Sequence, residues 1–219
     1  ADRMQQAMAR GRRTGQMLAV CLLDLDGFKP VNDQLGHKAG DELLIQLAGR
    51  LTQAVRADDS VARLGGDEFV LLLGNLNSIG EAEDAINRVL KVINVPFRLG
   101  DHIVRVTASI GVTLFPNDGG DADTLLRHAD HAMYLAKEGG KNQYHQFNPT
   151  LEIRDRENRE AMERIERALR QGQFTMYYQP IVDCLRGRPT GVEALIRWNH
   201  PILGILTPSE FLPLIEGHD

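Results

Sequence analysis

The run Arg63-Leu64-Gly65-Gly66-Asp67-Glu68-Phe69-Val70-Leu71-Leu72 places two glycines and two carboxylates between short apolar stretches. That pattern predicts a β-hairpin with acidic groups at its tip. Gly65 and Gly66 permit positive φ and leave no side chain in the way of a phosphate chain approaching the backbone. Asp67 and Glu68 repel each other when unpaired, and a divalent cation is the usual compensation. Taken alone, a turn of this composition is more often a solvated hairpin than a site.

A second acidic element stands upstream. Met17-Leu18-Ala19-Val20-Cys21-Leu22-Leu23 is almost continuously apolar, as expected of a strand buried on both faces, and it runs into Asp24-Leu25-Asp26. Carboxylates at the end of a buried strand are costly unless solvated, paired or bound to a metal. A polar loop satisfies this pattern. So do neighbouring strands on which Asp24 and Asp67 share a hard cation.

Further elements follow in order: Gly27-Phe28-Lys29, Val31-Asn32-Asp33, Gly36-His37-Lys38-Ala39-Gly40-Asp41-Glu42-Leu43-Leu44, then the Gly65-Gly66 turn, Ser109-Ile110-Gly111-Val112, and Ala129-Asp130-His131-Ala132-Met133-Tyr134-Leu135-Ala136-Lys137. Together with Asp24-Leu25-Asp26 they resemble the GGDEF domain of diguanylate cyclases over roughly residues 17 to 147. The resemblance implies condensation of two GTP into cyclic di-GMP, with Mg²⁺ (or Mn²⁺) neutralising the triphosphate. It implies Asp24, the Leu25 carbonyl and Asp67 as metal ligands, with Glu68 a second ligand or proton acceptor; Asp67 and Glu68 are the catalytic pair.

The resemblance also assigns guanine recognition to Asp41 and Asn32. A carboxylate can accept the two donors of the guanine edge while an amide supplies the complement, and adenine would leave the carboxylate unpaired. Without a nucleotide, Asp41 reads as a helix N-terminal acid and Asn32 as a turn residue. Phe28, Lys29, His37, Gly65, Gly66, Lys137 and Lys141 are the remaining implied substrate contacts. Lys141 departs from the family, which more often has arginine there; lysine keeps the charge and loses the bidentate fork. Arg56-Ala57-Asp58-Asp59 holds an Arg-x-x-Asp pair, Arg56 and Asp59, at the spacing from the turn that marks the family's product-inhibition site. A two-fold symmetric product made from two GTP implies a homodimer.

The expected fold class is α+β: a mostly antiparallel sheet flanked by helices, palm-like as in nucleotidyl cyclases. Leu43, Leu44, Leu47, Leu51 and Val55 form one helical stripe, and Ala82, Ala85, Ile86, Val89, Leu90 and Ile93 another. Leu125, Ala129, Met133 and Tyr134 form a third behind a capping Asp121. Val95–Leu99 and Ile103–Leu114 read as strands around Gly100-Asp101. The histidines show no metal-ligand spacing.

The first domain is expected over 1–147, a connecting helix over 148–171 and a third segment over 172–219. The connecting helix carries Glu160/Arg164, Glu163/Arg167 and Glu166/Arg170 at i,i+4, and an apolar stripe of Ala161, Met162, Ile165, Ala168 and Leu169. In the third segment Tyr178-Gln179-Pro180-Ile181-Val182, Gly191 to Trp198, and Thr207-Pro208-Ser209-Glu210-Phe211 resemble the opening of an EAL domain, the cyclic di-GMP phosphodiesterase family. Gln179, Glu193 and Arg197 would belong to its site, with Glu193 a metal ligand. That family is a (β/α)₈-type barrel needing about 250 residues, so a partial barrel without hydrolytic activity is expected. The chain reads as part of a longer protein with an upstream sensor and a downstream EAL portion. An alternative function is a GTP-binding module that controls the adjoining phosphodiesterase.

Net charge is −5, the pI is near 5.8 and no basic stripe appears, which argues against a nucleic-acid polymer as ligand. The two cysteines, Cys21 and Cys184, are expected as free thiols. No apolar stretch reaches the ~18 residues of a membrane span, and GTP as substrate points to the cytoplasm, with any membrane tether in a region outside this segment.

Overall fold

The computed structural model describes residues 2–212, with the side chains of 3–151 and 160–212. The chain divides into two compact units, residues 1–149 and 150–219. The first unit runs α1 (Asp2–Thr14), β1 (Met17–Asp26), α2 (Phe28–Leu35), α3 (His37–Ala54), β2 (Ser60–Gly65), β3 (Glu68–Leu76), α4 (Ile79–Ile93), β4 (Phe97–Leu99), β5 (His102–Val104), β6 (Thr107–Phe115), α5 (Ala122–Glu138) and β7 (Tyr144–Gln146).

The apolar run at 17–23 becomes the middle strand of a five-stranded sheet ordered β2-β3-β1-β6-β7. It pairs antiparallel with β3 and with β6, and only the β6–β7 pair is parallel. The period of two then sorts its side chains. Ala19, Cys21, Leu23 and Leu25 face a core built with Leu43, Leu47 and Leu51 of α3 and Ile86, Val89 and Ile93 of α4. Leu18, Val20 and Leu22 face a second core with Met4 and Met8 of α1 and Leu125, Ala129 and Met133 of α5. Each buried leucine here contributes about 1.5–3 kcal/mol. The fold is the expected α+β layer of an antiparallel-rich sheet between helices.

Three details differ from the sequence expectation. The segment 103–114 is not one strand: β5 pairs with β4 in a separate two-stranded ribbon, and the chain breaks at Arg105-Val106 before β6 joins the main sheet. Apolar character continues across the break because Val106 is buried in its own right. Tyr134 is 47% exposed, since the stripe of α5 narrows to Leu125, Ala129, Ala132, Met133 and Ala136. Leu169 is exposed, because Ala161, Ile165 and Ala168 already fill the buried face of its helix.

The second unit holds most of α6 (Pro149–Arg170), then β8 (Phe174–Asp183), β9 (Arg188–His200), β10 (Gly204–Leu206) and α7 (Pro208–Phe211). The strands form a three-stranded antiparallel meander, and no barrel closes among the described residues. Ile165, Ala168, Trp198 and Phe211 make its core, and Thr207 and Glu210 form a capping box at α7. Of the three i,i+4 pairs expected on α6, Glu166–Arg170 is an ion pair at 3.4 Å. Cys21 is buried and Cys184 exposed, both free. Burial, and then the Asp59 charge, push the Cys21 thiol up to about 12. Among the described residues no helix is long and apolar enough to cross a membrane.

Gly111 of β6 marks the tightest approach between sheet and helix. A Cβ there would lie 1.8 Å from the Ala129 carbonyl oxygen and 2.2 Å from the Met133 amide nitrogen, both backbone atoms of α5. Neither can move without shifting the helix. Gly111→Ala is therefore expected to cost about 3 kcal/mol or more, read as a fall in the urea unfolding midpoint.

Candidate active site

The hairpin forms as the sequence predicts. Gly65 pairs with Glu68, leaving Gly66 and Asp67 as the two turn residues, and Gly66 takes φ 51°. The register shifts between Arg63 and Gly65, so Leu64 bulges outward and is 57% exposed. The Arg63 Nε donates to the Gly66 carbonyl at 2.9 Å and ties the turn from its own strand.

The same register brings the two acidic elements together. Asp24 of β1 stands directly opposite Glu68 of β3, with Asp67 one residue further at the tip. Asp24 is 14% exposed, and its Oδ1 meets the Lys137 Nζ of α5 at 2.9 Å. Burial raises the Asp24 pKa; the hydrogen bond and charge of Lys137 oppose the rise, and the Asp67 and Asp26 charges add to it. The site thus concentrates negative charge and holds it with one ammonium. Among the described residues no three His, Cys, Asp or Glu side chains stand close enough to hold a metal by themselves.

The predicted base-binding residues come from the two helices that follow β1. Gly27, at φ 85°, turns the chain into α2, which carries Phe28, Lys29 and Asn32. Asn32 is thus a helical residue, not a turn residue. His37 opens α3, and Asp41 lies in its second turn, beyond the free N–H groups that favour an acid. Asp41 instead lines an open cleft of about 440 Å³ with Ile45, Val61, Arg63 and Phe69. Lys29 and His37 are exposed, and Leu25 is buried between the sheet's helices with its backbone in the β6 ladder. Lys141 sits in the turn after α5 at φ 63°.

Two residues that the sequence reading passed over hold this arrangement. A Cβ on Gly40 would lie 1.9 Å from Asn32 Oδ1 and 3.3 Å from Phe28 Cζ, so Gly40 is the floor against which the Asn32 carboxamide rests. Asp26 accepts from Thr107 Oγ1 at 2.8 Å, Ser109 Oγ at 2.9 Å and the Asn142 amide at 3.2 Å. Both lie inside the motifs quoted above, Asp26 also as a carboxylate at the end of the buried strand, but nothing in the sequence gave either a positioning role.

Arg56 and Asp59 lie in the turn between α3 and β2. The Asp59 carboxylate accepts from the Arg56 amide at 2.8 Å and the Gly74 amide at 3.0 Å. The Arg56 guanidinium reaches Glu81 at 3.6 Å and is 56% exposed. In the second unit Gln179 and Glu193 face each other across β8 and β9, and Arg197, opposite Thr175, projects from the same side of the sheet.

Residues 1–143 match the family described as diguanylate cyclase, GGDEF domain. The chain belongs to that family. Residues 162–219 match the EAL domain, so a GGDEF domain is followed by the start of an EAL domain. The bifunctional diguanylate cyclase/cyclic di-GMP phosphodiesterase MucR of Pseudomonas aeruginosa is 43% identical over 215 residues, 98% of this chain and 31% of that protein. The cyclic di-GMP phosphodiesterase NbdA of the same organism is 38% identical over 213 residues, 97% of this chain and 27% of its own length. This chain therefore spans about a third or less of these relatives. The crystal structure of the GGDEF domain of YfiN (TpbB) from P. aeruginosa superposes with a TM-score of 0.65 at 36% identity, covering 67% of this chain and 92% of that one.

Because the atoms that crowd a Gly40 Cβ belong to movable side chains, Gly40→Ala is expected to differ in kind from Gly111→Ala. It should displace the Asn32 carboxamide while changing unfolding free energy by less than about 1 kcal/mol. A crystal structure of the variant and a urea denaturation curve check the two halves of this expectation.

Proposed function

We propose that the GGDEF unit condenses two GTP into cyclic di-GMP, releasing one pyrophosphate from each. The observation that carries this is the β1–β3 register, which sets Glu68 opposite Asp24 and Asp67 beside it at the end of a buried strand, with Lys137 on the same carboxylate. The donor chemistry fits Mg²⁺ or Mn²⁺. Asp24, Asp67 and the Leu25 carbonyl offer hard oxygens, too few for a closed cage, and Mg²⁺ typically completes its shell with water and substrate phosphate. Bound there, the ion would offset the triphosphate charge and polarise the α-phosphoryl group.

The chain's own residues do the rest. Asp41 accepts from the guanine ring N–H and exocyclic amine, and the Asn32 amide donates to the guanine carbonyl. Phe28, His37, Gly65 and Gly66 border the nucleotide; the two glycines let the phosphates approach the backbone. Lys29, Lys137 and Lys141 face the triphosphate, with Lys137 shared between it and Asp24. Asp67 or Glu68 takes the proton of the attacking 3′-hydroxyl as pyrophosphate departs. Each GTP supplies the hydroxyl for the other, so two copies of the domain face one another across the product's two-fold axis.

Arg56 and Asp59 form the product-inhibition site in this reading. The exposed guanidinium suits a phosphate, and each Asp59 oxygen keeps a lone pair beyond its backbone contact. A second reading is favoured by the likeness to NbdA, which is named as a phosphodiesterase: the GGDEF unit binds GTP and sets the activity of the EAL portion. In either case the site faces the cytoplasm, where GTP is available.

Incubation of the longer protein with GTP and Mg²⁺, followed by chromatography for cyclic di-GMP and the linear dinucleotide, tests the proposal. Product is expected, and Asp67→Ala should lower its rate at least about 100-fold while the protein stays folded. GTP binding without product, together with a GTP-dependent phosphodiesterase rate, would favour the second reading. Arg56→Ala should keep the initial rate and raise the product concentration needed for half-inhibition by about tenfold. Unchanged inhibition would remove Arg56 from the product site.

A further inference from the structure

Asp24 and Asp26 lie on the same side of β1, two residues apart, yet their surroundings differ. Asp24 meets an ammonium group from α5. Asp26 has both oxygens engaged by neutral donors: Ser109 Oγ on Oδ1, and Thr107 Oγ1 and the Asn142 amide on Oδ2. The first two donors belong to β6, already the ladder partner of β1. The third belongs to the turn after α5, and it is the contact that strand pairing does not explain.

That turn needs holding. Lys141 and Asn142 are consecutive non-glycine residues in the left-handed region, at φ 63° and 49°. Asparagine tolerates that region and lysine tolerates it less. The turn is anchored before and after: the Lys141 amide donates to the Ala136 carbonyl at 3.0 Å, and the Gln143 carbonyl accepts from the Ile110 amide at 3.0 Å. Asp26 grips the middle, one residue beyond Lys141.

We propose that Asp26 positions Lys141: by accepting from the Asn142 amide it fixes the turn that presents this lysine to the nucleotide triphosphate. The inference rests on the reading of Lys141 as a phosphate contact. It separates two neighbouring carboxylates by function, Asp24 toward the cation and Asp26 toward the backbone. The task of Asp26 needs an acceptor and no charge. An amide can do it, with its oxygen toward Asn142 and Thr107 and its NH₂ toward the Ser109 hydroxyl, which can turn to accept.

The experiment is calorimetric binding of Mg²⁺ with 3′-deoxy-GTP, which cannot condense, to the longer protein and its variants. Lys141→Ala should weaken binding, and Asp26→Ala should weaken it by about five- to tenfold, the size of one lost ordering hydrogen bond. Asp26→Asn should hold affinity within about twofold of the wild type. Asp26→Ala in a Lys141→Ala background should add nothing. If Asp26→Ala does not fold, Ser109→Ala removes one of the three donors at a site that accepts a methyl group, and its smaller loss should likewise vanish without Lys141. A double variant clearly weaker than Lys141→Ala overturns the inference, as does an Asp26→Asn variant that loses as much as Asp26→Ala. A Lys141→Ala variant that binds like the wild type removes the phosphate role of Lys141 itself, and the inference with it.

Discussion

Asp24 stands near the end of a strand whose apolar side chains are sealed into two cores, and its carboxylate meets the Lys137 ammonium at 2.9 Å. Ionised carboxylates are expensive in such a place, and Asp67 and Asp26 add to the cost. One lysine, arriving from a helix on the far side of β6 in the sequence, offsets the charge. The contact requires that β1 pair in register with both neighbours and that α5 pack on the sheet closely enough for Lys137 to reach back. Gly111 allows that packing, since any side chain there would meet the backbone of α5. The charged centre therefore depends on the steric contact.

The two close glycine contacts divide along the line between fold and site. Gly111 faces main-chain atoms, so its bareness is a condition of the helix lying on the sheet. Gly40 faces the end of Asn32, so its bareness is a condition of where one carboxamide rests. The two glycines look alike in the sequence. What differs is whether the crowded neighbour can rotate away, which the packing around each glycine decides.

The strongest periodic signals were legible in the sequence. The apolar run at 17–23 and the stripes of α3 and α4 gave their elements directly, because each reflects burial along a strand or helix, and the glycine pair at 65–66 marked its turn by conformational freedom. The break at Arg105-Val106 was hidden because the apolar-polar alternation of Val104, Arg105, Val106 and Thr107 continues through it. The partners of Asp26 and Gly40 were hidden for another reason: they arise from packing between segments far apart in the chain, as with Thr107, Ser109 and Asn142 around Asp26. The family motifs mark stretches of the chain but do not say which residues hold others in place. The same applies to Arg56 and Asp59, whose spacing was visible while the Glu81 contact was not.

The main sheet ends in two unlike borders. On one side β7 offers only three residues, and on the other β2 finishes in an irregular register with Leu64 pushed outward. Short or kinked outer strands are poor templates for adding a further strand from another molecule. Growth by backbone ladder is thereby discouraged at both rims. Pairing of two copies through this sheet would then rest on side chains and turns rather than on a shared backbone ladder, which leaves its geometry open to adjustment by whatever is attached to the domain.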